Sequence, residues 1–155
     1  VTGAVLAIMW NDTERLMLEH IALAFALSFA IGFERGVRGT PAGDRTYALV
    51  GTGAAAVTAV TLIASPQAIA GVLTGIGFIG GGLVFRGEGG MLKGITSAAT
   101  IFAVAAIGIV AGAGHSWMAI GVTAMVLVDL ELRQIPILKH LDARRYNRDD
   151  DDMMK

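Results

Sequence analysis

Apolar residues fall into five long runs, at about 16–33, 46–64, 68–85, 94–113 and 118–132. A helix that crosses a bilayer needs about 20 mostly apolar residues, and each run approaches that length. The runs lack the period-two alternation of barrel strands, and only helices satisfy their own amides in lipid. Short breaks divide them: RGTPAGDRT, then Ser65-Pro66-Gln67, then RGEGGMLK, then GAGHSW. Ser65 is suited to capping the third helix, and Pro66 to its first turn. The pattern predicts an all-α polytopic membrane protein, a compact bundle of five transmembrane helices within residues 16–133. An outer segment, 1–15, precedes the bundle. A polar tail, 134–155, follows it and is expected to be disordered at its acidic end.

Charge distribution gives this layout a direction. Residues 46–85 contain no Asp, Glu, Lys, Arg or His. With the N-terminus outside and the C-terminus cytoplasmic, 11 of the 12 Lys and Arg residues lie inside, and Arg15 alone lies outside. That is the positive-inside pattern, which four or six spans do not reproduce. Trp10 and Trp117 then fall at the outer interface and Tyr47 at the inner one, where aromatic belts form.

Composition narrows the function classes. Hydrophobic residues make up 54% of the chain and charged residues 16%, too little polar surface to cover a soluble core of this size. A net charge of −1 argues against a nucleic-acid partner. Zero cysteines removes thiolate chemistry and cysteine metal sites, and the three histidines form no ligand motif. GTGAAA at 51–56 lacks the strand–helix context and the following acid of a dinucleotide site, and GEGGMLKG lacks the order of a phosphate loop. No catalytic residue, cofactor or resident metal site emerges, so the chain reads as a non-enzyme.

Twenty-one glycines need another explanation. Gly71 and Gly75, Gly77 and Gly81, and Gly108 and Gly112 stand four apart, a spacing that lets helix backbones approach closely. They predict tight seams within the bundle. Gly75, Gly77, Gly80, Gly81 and Gly82 crowd one segment beyond what one seam requires. A partly unwound half-helix there, with exposed carbonyls, is the second expectation.

Several segments together resemble the MgtC/SapB family of bacterial inner-membrane proteins. They are IGFERGVRGTPAGDRTYALVGTGA, GIGFIGGGLVFR, KGITSAAT and AAIGIVAGAG, and the resemblance covers about residues 16–133. It implies the inner membrane, adaptation to low magnesium and, in some pathogens, survival inside host cells. The family name suggests transport, while many members look like modulators of other membrane proteins. Asp44 stands where the family usually has an apolar residue, and Phe102 where tryptophan is common. The soluble C-terminal domain of longer members is not expected here.

Ionisable residues at span ends supply the candidate site. Glu34 and Arg35 close the first span and Asp44, Arg45 and Thr46 open the second; Asp129 and Glu131 reach the same depth from the fifth. Thr96 and Thr100 add hydroxyls one turn apart. Either these charges anchor helix ends, or Glu34, Asp44 and Asp129, with Thr96 and Thr100, form a vestibule for magnesium, which favours hard oxygen ligands. Arg35 and Arg45 compete for those carboxylates, which points instead to structure or to contact with an anion, a lipid headgroup or a protein. Glu19 and His20 lie near the outer end of the first span, either at headgroup depth or, dipped into lipid, on a proton or cation path. Two functions follow: a regulator that binds another integral membrane protein, with a homodimer also reasonable, or a transporter or channel for magnesium or another small ion.

Overall fold

The computed structural model of the protein describes residues 12–62, 65–87 and 92–132. The expected outer segment before Asp12 and the tail beyond Leu132, with Trp10, lie outside the described residues. Within them are five α-helices: α1 (Asp12–Val37), α2 (Asp44–Thr61), α3 (Gln67–Leu83), α4 (Ile95–Gly112) and α5 (Ser116–Leu132). Between α3 and α4 lies a short antiparallel pair, β1 (Phe85–Arg86) and β2 (Leu92–Lys93), where sequence reading expected only a loop. At two residues a strand, the pair has no hydrophobic period to betray it.

Local chemistry sets the boundaries. Asp12 and Glu14 stand in the first turn of α1 and complement its positive end. That helix continues through Glu34 and Arg35 to Val37, because backbone hydrogen bonding does not stop where hydropathy does. It ends in a Schellman turn: the Thr40 amide donates to the Arg35 carbonyl at 3.2 Å and the Gly39 amide to Gly36 at 3.0 Å, with Gly39 at φ 66°. The end of α4 repeats the device. There His115 donates to Val110 at 3.1 Å and Gly114 to Ala111 at 2.9 Å, with Gly114 at φ 87°. Ser65 caps α3 through its carbonyl, which accepts from the Ala68 amide at 2.9 Å, and not through its hydroxyl.

Packing centres on α4, which touches all four other helices. The helices α1, α2 and α4 pack mutually; α3 lies against α2 and α4, and α5 against α1 and α4. Small residues make this possible. A Cβ on Gly108 would strike the Gly51 carbonyl oxygen, and one on Gly112 would come within 2.8 Å of the Ala55 Cα. Where those Cβ atoms would stand, hydrogens point at carbonyl oxygens, a weak but repeated attraction. Gly51 in turn meets Ser28 of α1, so three helices converge on one glycine. The expected seam at Gly108 and Gly112 is therefore internal.

The other two seams differ from expectation. Among the described residues nothing lies within 4 Å of where a Cβ would sit on Gly71, Gly75, Gly77, Gly81 or Gly82. Gly80 alone of that cluster packs inward, against Ala98. Nor is the helix broken, since α3 is continuous from Gln67 to Leu83. Glycine weakens a helix through backbone freedom, yet it removes no hydrogen bond, so a ladder of amides can persist through all six.

The exterior is apolar and the interior is small and partly polar. Phe25, Phe33, Leu49, Val60, Phe78, Trp117 and Met125 are exposed, while Ser28, Thr58, Ser97, Thr100 and Thr123 are buried beside alanines. Hydroxyls of Thr52, Thr58, Thr61, Thr74, Thr100 and Thr123 each donate to the carbonyl four residues back, so none needs water. Among the described residues, α1 and α4 are long and apolar enough to cross a membrane, and α3 is a shorter apolar helix. Four threonines with Asp44 and Arg45 make α2 more polar.

Candidate functional site

The C-terminal ends of α1 and α5 meet at one pole of the bundle, alongside the start of α2. Arg38, just past α1, joins them: its Nη2 donates to Glu131 Oε1 at 2.6 Å, and its Nε pairs with Glu34. Glu34 also approaches Arg35, at 3.8 Å, and the side chains of both are 11% exposed. The bond to Glu131 leads in raising the Arg38 pKa above its ordinary value, with desolvation opposing it and the charge of Glu34 adding to it. The start of α2 closes on α1 at Gly32, where a Cβ would come within 2.7 Å of the Asp44 Cα.

Tyr47 occupies the middle of this pole and is fully buried. Its hydroxyl donates to the Ser97 carbonyl at 3.4 Å. It was expected at the interface as an aromatic anchor and is instead a core residue, because Gly32 lets α2 approach α1 closely enough to enclose it.

The predicted residues separate into two groups. Glu34 and Arg35 share a charged network, with Arg38 and Glu131 as the other members. Asp44 and Asp129 stand apart from it. Asp44 accepts the Arg45 amide at 2.9 Å, and among the described residues Asp129 makes no hydrogen bond or ion pair. Asp129 and Glu131 are two positions apart on α5 and so project to different faces. Arg38 follows the same logic, one turn beyond Glu34, a spacing that could have singled it out. Thr96 is exposed, and the Thr100 hydroxyl is used by its own helix, at 2.7 Å from the Thr96 carbonyl. Arg45 and Thr46 are exposed on the first turn of α2. Among the described residues no three carboxylates or imidazoles gather as a metal ion would require. At the opposite pole His20 lies against the α4–α5 turn at Gly114, and Glu19 pairs with Arg15 at 3.3 Å.

Residues 21–135, which contain this pole and all five helices except the first turns of α1, match the MgtC family. The chain belongs to the MgtC family. Similar relatives include an uncharacterized protein of Haemophilus influenzae, 32% identical over 161 residues, covering 95% of this chain and 67% of the relative. Protein MgtC of Brucella abortus is 37% identical over 134 residues, 83% of this chain and 55% of the relative. Protein MgtC of Salmonella typhimurium is 38% identical over 112 residues, 70% and 48%. The chain thus spans about half to two thirds of the length of these relatives. No solved structure matches it. As a member of the MgtC family with an apolar exterior over a small, hydroxyl-lined interior, the chain is a membrane protein.

Proposed function

We propose that this MgtC-family chain crosses the bacterial inner membrane five times, with its N-terminus outside, and serves magnesium homeostasis by binding another integral membrane protein. The magnesium link follows from the family and from relatives that carry the MgtC name. Helices of 17 to 26 residues suit a hydrocarbon layer of about 30 Å. The bond between Arg38 and Glu131 brings the ends of α1 and α5 to one pole, as an odd number of passes requires.

One observation carries the choice of a modulator over a transporter. Gly71, Gly75 and Gly82 share the outward face of α3 with Phe78, which is 86% exposed, and no helix among the described residues covers them. A face shaped for close approach and left open suits a helix from another protein. Glu34, one of the three carboxylates that transport would use, is paired with arginines.

Liposomes containing the purified protein and a magnesium-sensitive dye are expected to show no flux above empty vesicles. A photo-crosslinker at Phe78 in native membranes is expected to capture a partner, and Gly75→Leu to lose it. Magnesium flux that disappears in Glu34→Gln or Asp129→Asn would establish transport and overturn this reading.

A further inference from the structure

The antiparallel ribbon of β1 and β2 stands at the same pole as the Glu34 network but outside it. Tyr47 reaches the Ser97 carbonyl, which brings the start of α4, and the ribbon just before it, to this end. A Cβ on Gly94 would strike the Leu83 carbonyl oxygen, so the end of α3 and the start of α4 close together at the base of the ribbon.

Within the ribbon Phe85 is opposite Lys93 and Arg86 opposite Leu92. Opposed residues project to one face and successive residues to opposite faces, so each face carries one large apolar side chain and one cation. Phe85 and Leu92, with Ile95 in the first turn of α4, are each about half exposed. Arg86 and Lys93 are exposed too, and among the described residues neither forms an ion pair. The Lys93 methylenes lie against the ribbon at Gly87, where a Cβ would come within 2.9 Å of Lys93 Cε.

A two-stranded ribbon is marginal alone in water, and leaving phenylalanine and leucine there makes it worse. Two kinds of partner satisfy only half of it. An acidic peptide would neutralise the cations and leave the apolar side chains wet. An apolar groove would cover those side chains and bury unpaired charge. The boundary between acyl chains and headgroups accepts both, with apolar side chains below and snorkelling cations beside the phosphates. At this pole Arg35 and Arg38 have Glu34 and Glu131 to compensate them, whereas Arg86 and Lys93 have no carboxylate among the described residues. Three carboxylates oppose an anion here. Asp44 is turned to the Arg45 amide, Asp129 is unpaired among the described residues, and Glu88, between the strands in sequence, lies outside them.

We propose that the β1–β2 ribbon is a docking element for anionic lipid: Phe85 and Leu92 enter the inner leaflet, and Arg86 and Lys93 hold headgroup phosphates. This docking rests on the membrane placement proposed above, and not on the choice between modulator and transporter.

The test uses the full chain in vesicles of equal parts phosphatidylcholine and phosphatidylglycerol, with the acyl chains of one lipid or the other brominated. Phe85→Trp in a Trp10→Phe, Trp117→Phe background reports from the ribbon by fluorescence quenching, and Leu92→Trp reads the other face should Phe85→Trp disturb the fold. Stronger quenching by brominated phosphatidylglycerol is expected, with a relative affinity of about fivefold for each cation. Arg86→Gln combined with Lys93→Gln is expected to return that ratio to one, and Arg45→Gln, at the same pole but outside the ribbon, to keep it. Equal quenching by the two lipids, or as large a loss in Arg45→Gln, overturns the docking. So does a preference that appears only after Asp149→Asn, Asp150→Asn, Asp151→Asn and Asp152→Asn, which would assign the ribbon to the chain's own acidic tail. Trp117, 86% exposed at the other pole, is read separately in Trp10→Phe. Its quenching with none at position 85 sinks the docking alone, and no quenching at either place sinks the membrane placement itself.

Discussion

Gly112 and Gly75 are the same residue in opposite surroundings. A Cβ on Gly112 meets the Ala55 backbone within 3.0 Å, whereas one on Gly75 meets nothing among the described residues. Gly112→Leu must separate α2 from α4 and is expected to cost about 3 kcal/mol or more. Gly75→Leu is expected to shift stability by less than about 1 kcal/mol, since it changes only helix propensity. Thermal unfolding of the two variants in mild detergent checks the contrast, and equal losses would mean that α3 is covered. Glu34 offers a second residue-level prediction. Its carboxylate lies between Arg35 and Arg38, so Glu34→Gln leaves two guanidiniums facing each other and is expected to destabilise by about 1–3 kcal/mol. Arg38 is held charged by Glu131 first and by Glu34. A raised pKa in the folded state gives stability fully present below the ordinary guanidinium value and lost only above the raised one. The melting difference between wild type and Arg38→Gln is thus expected to stay flat between about pH 6 and 9 as far as Arg38's own titration is concerned.

Helices were legible in the sequence because a membrane helix announces itself by unbroken hydropathy. What each helix touches was not, because spacing is the same on a covered face and an open one. Gly108 and Gly112 meet α2, and Gly71 and Gly75 meet nothing among the described residues, although both pairs read as seams. The charged pole was half legible. Glu34 and Arg35 were visible as span-end charges, but their partners are Arg38 and Glu131, selected by helical phase. Phase also explains α5. Ala119 and Thr123, one turn apart, are its buried residues, and most of its length faces outward. Val122, Val126, Leu127 and Leu130 pack against the core, and the bond from Arg38 to Glu131 adds to that anchorage at this pole. Spin labels on α1 and α5 near this end are expected to report a broader distance distribution in Glu131→Gln than in wild type. An unchanged distribution would assign that anchorage to the packing of α5 against the core alone.

At the scale of the whole molecule, the two poles differ in chemistry, and that difference supports the proposed orientation. The pole at Arg38 carries Arg35, Arg45, Arg86 and Lys93 with it, while the turns at Ser65–Pro66 and Gly114 carry no lysine or arginine. Basic residues are retained on the cytoplasmic side during insertion, which supports the proposed placement of the arginine pole inside. The absence of native cysteine makes this directly measurable. A single cysteine at Thr40 is expected to resist a membrane-impermeant maleimide in intact cells and to react once the membrane is opened. A cysteine at Ser116 is expected to react in both conditions. The reverse pattern would place the α3 face and the Arg35 pole in the opposite leaflet. Labelling of both sites from outside would mean that α5 does not cross beside α1. The second outcome would contradict the meeting of Arg38 and Glu131, so the labelling pattern tests the bundle and its orientation together.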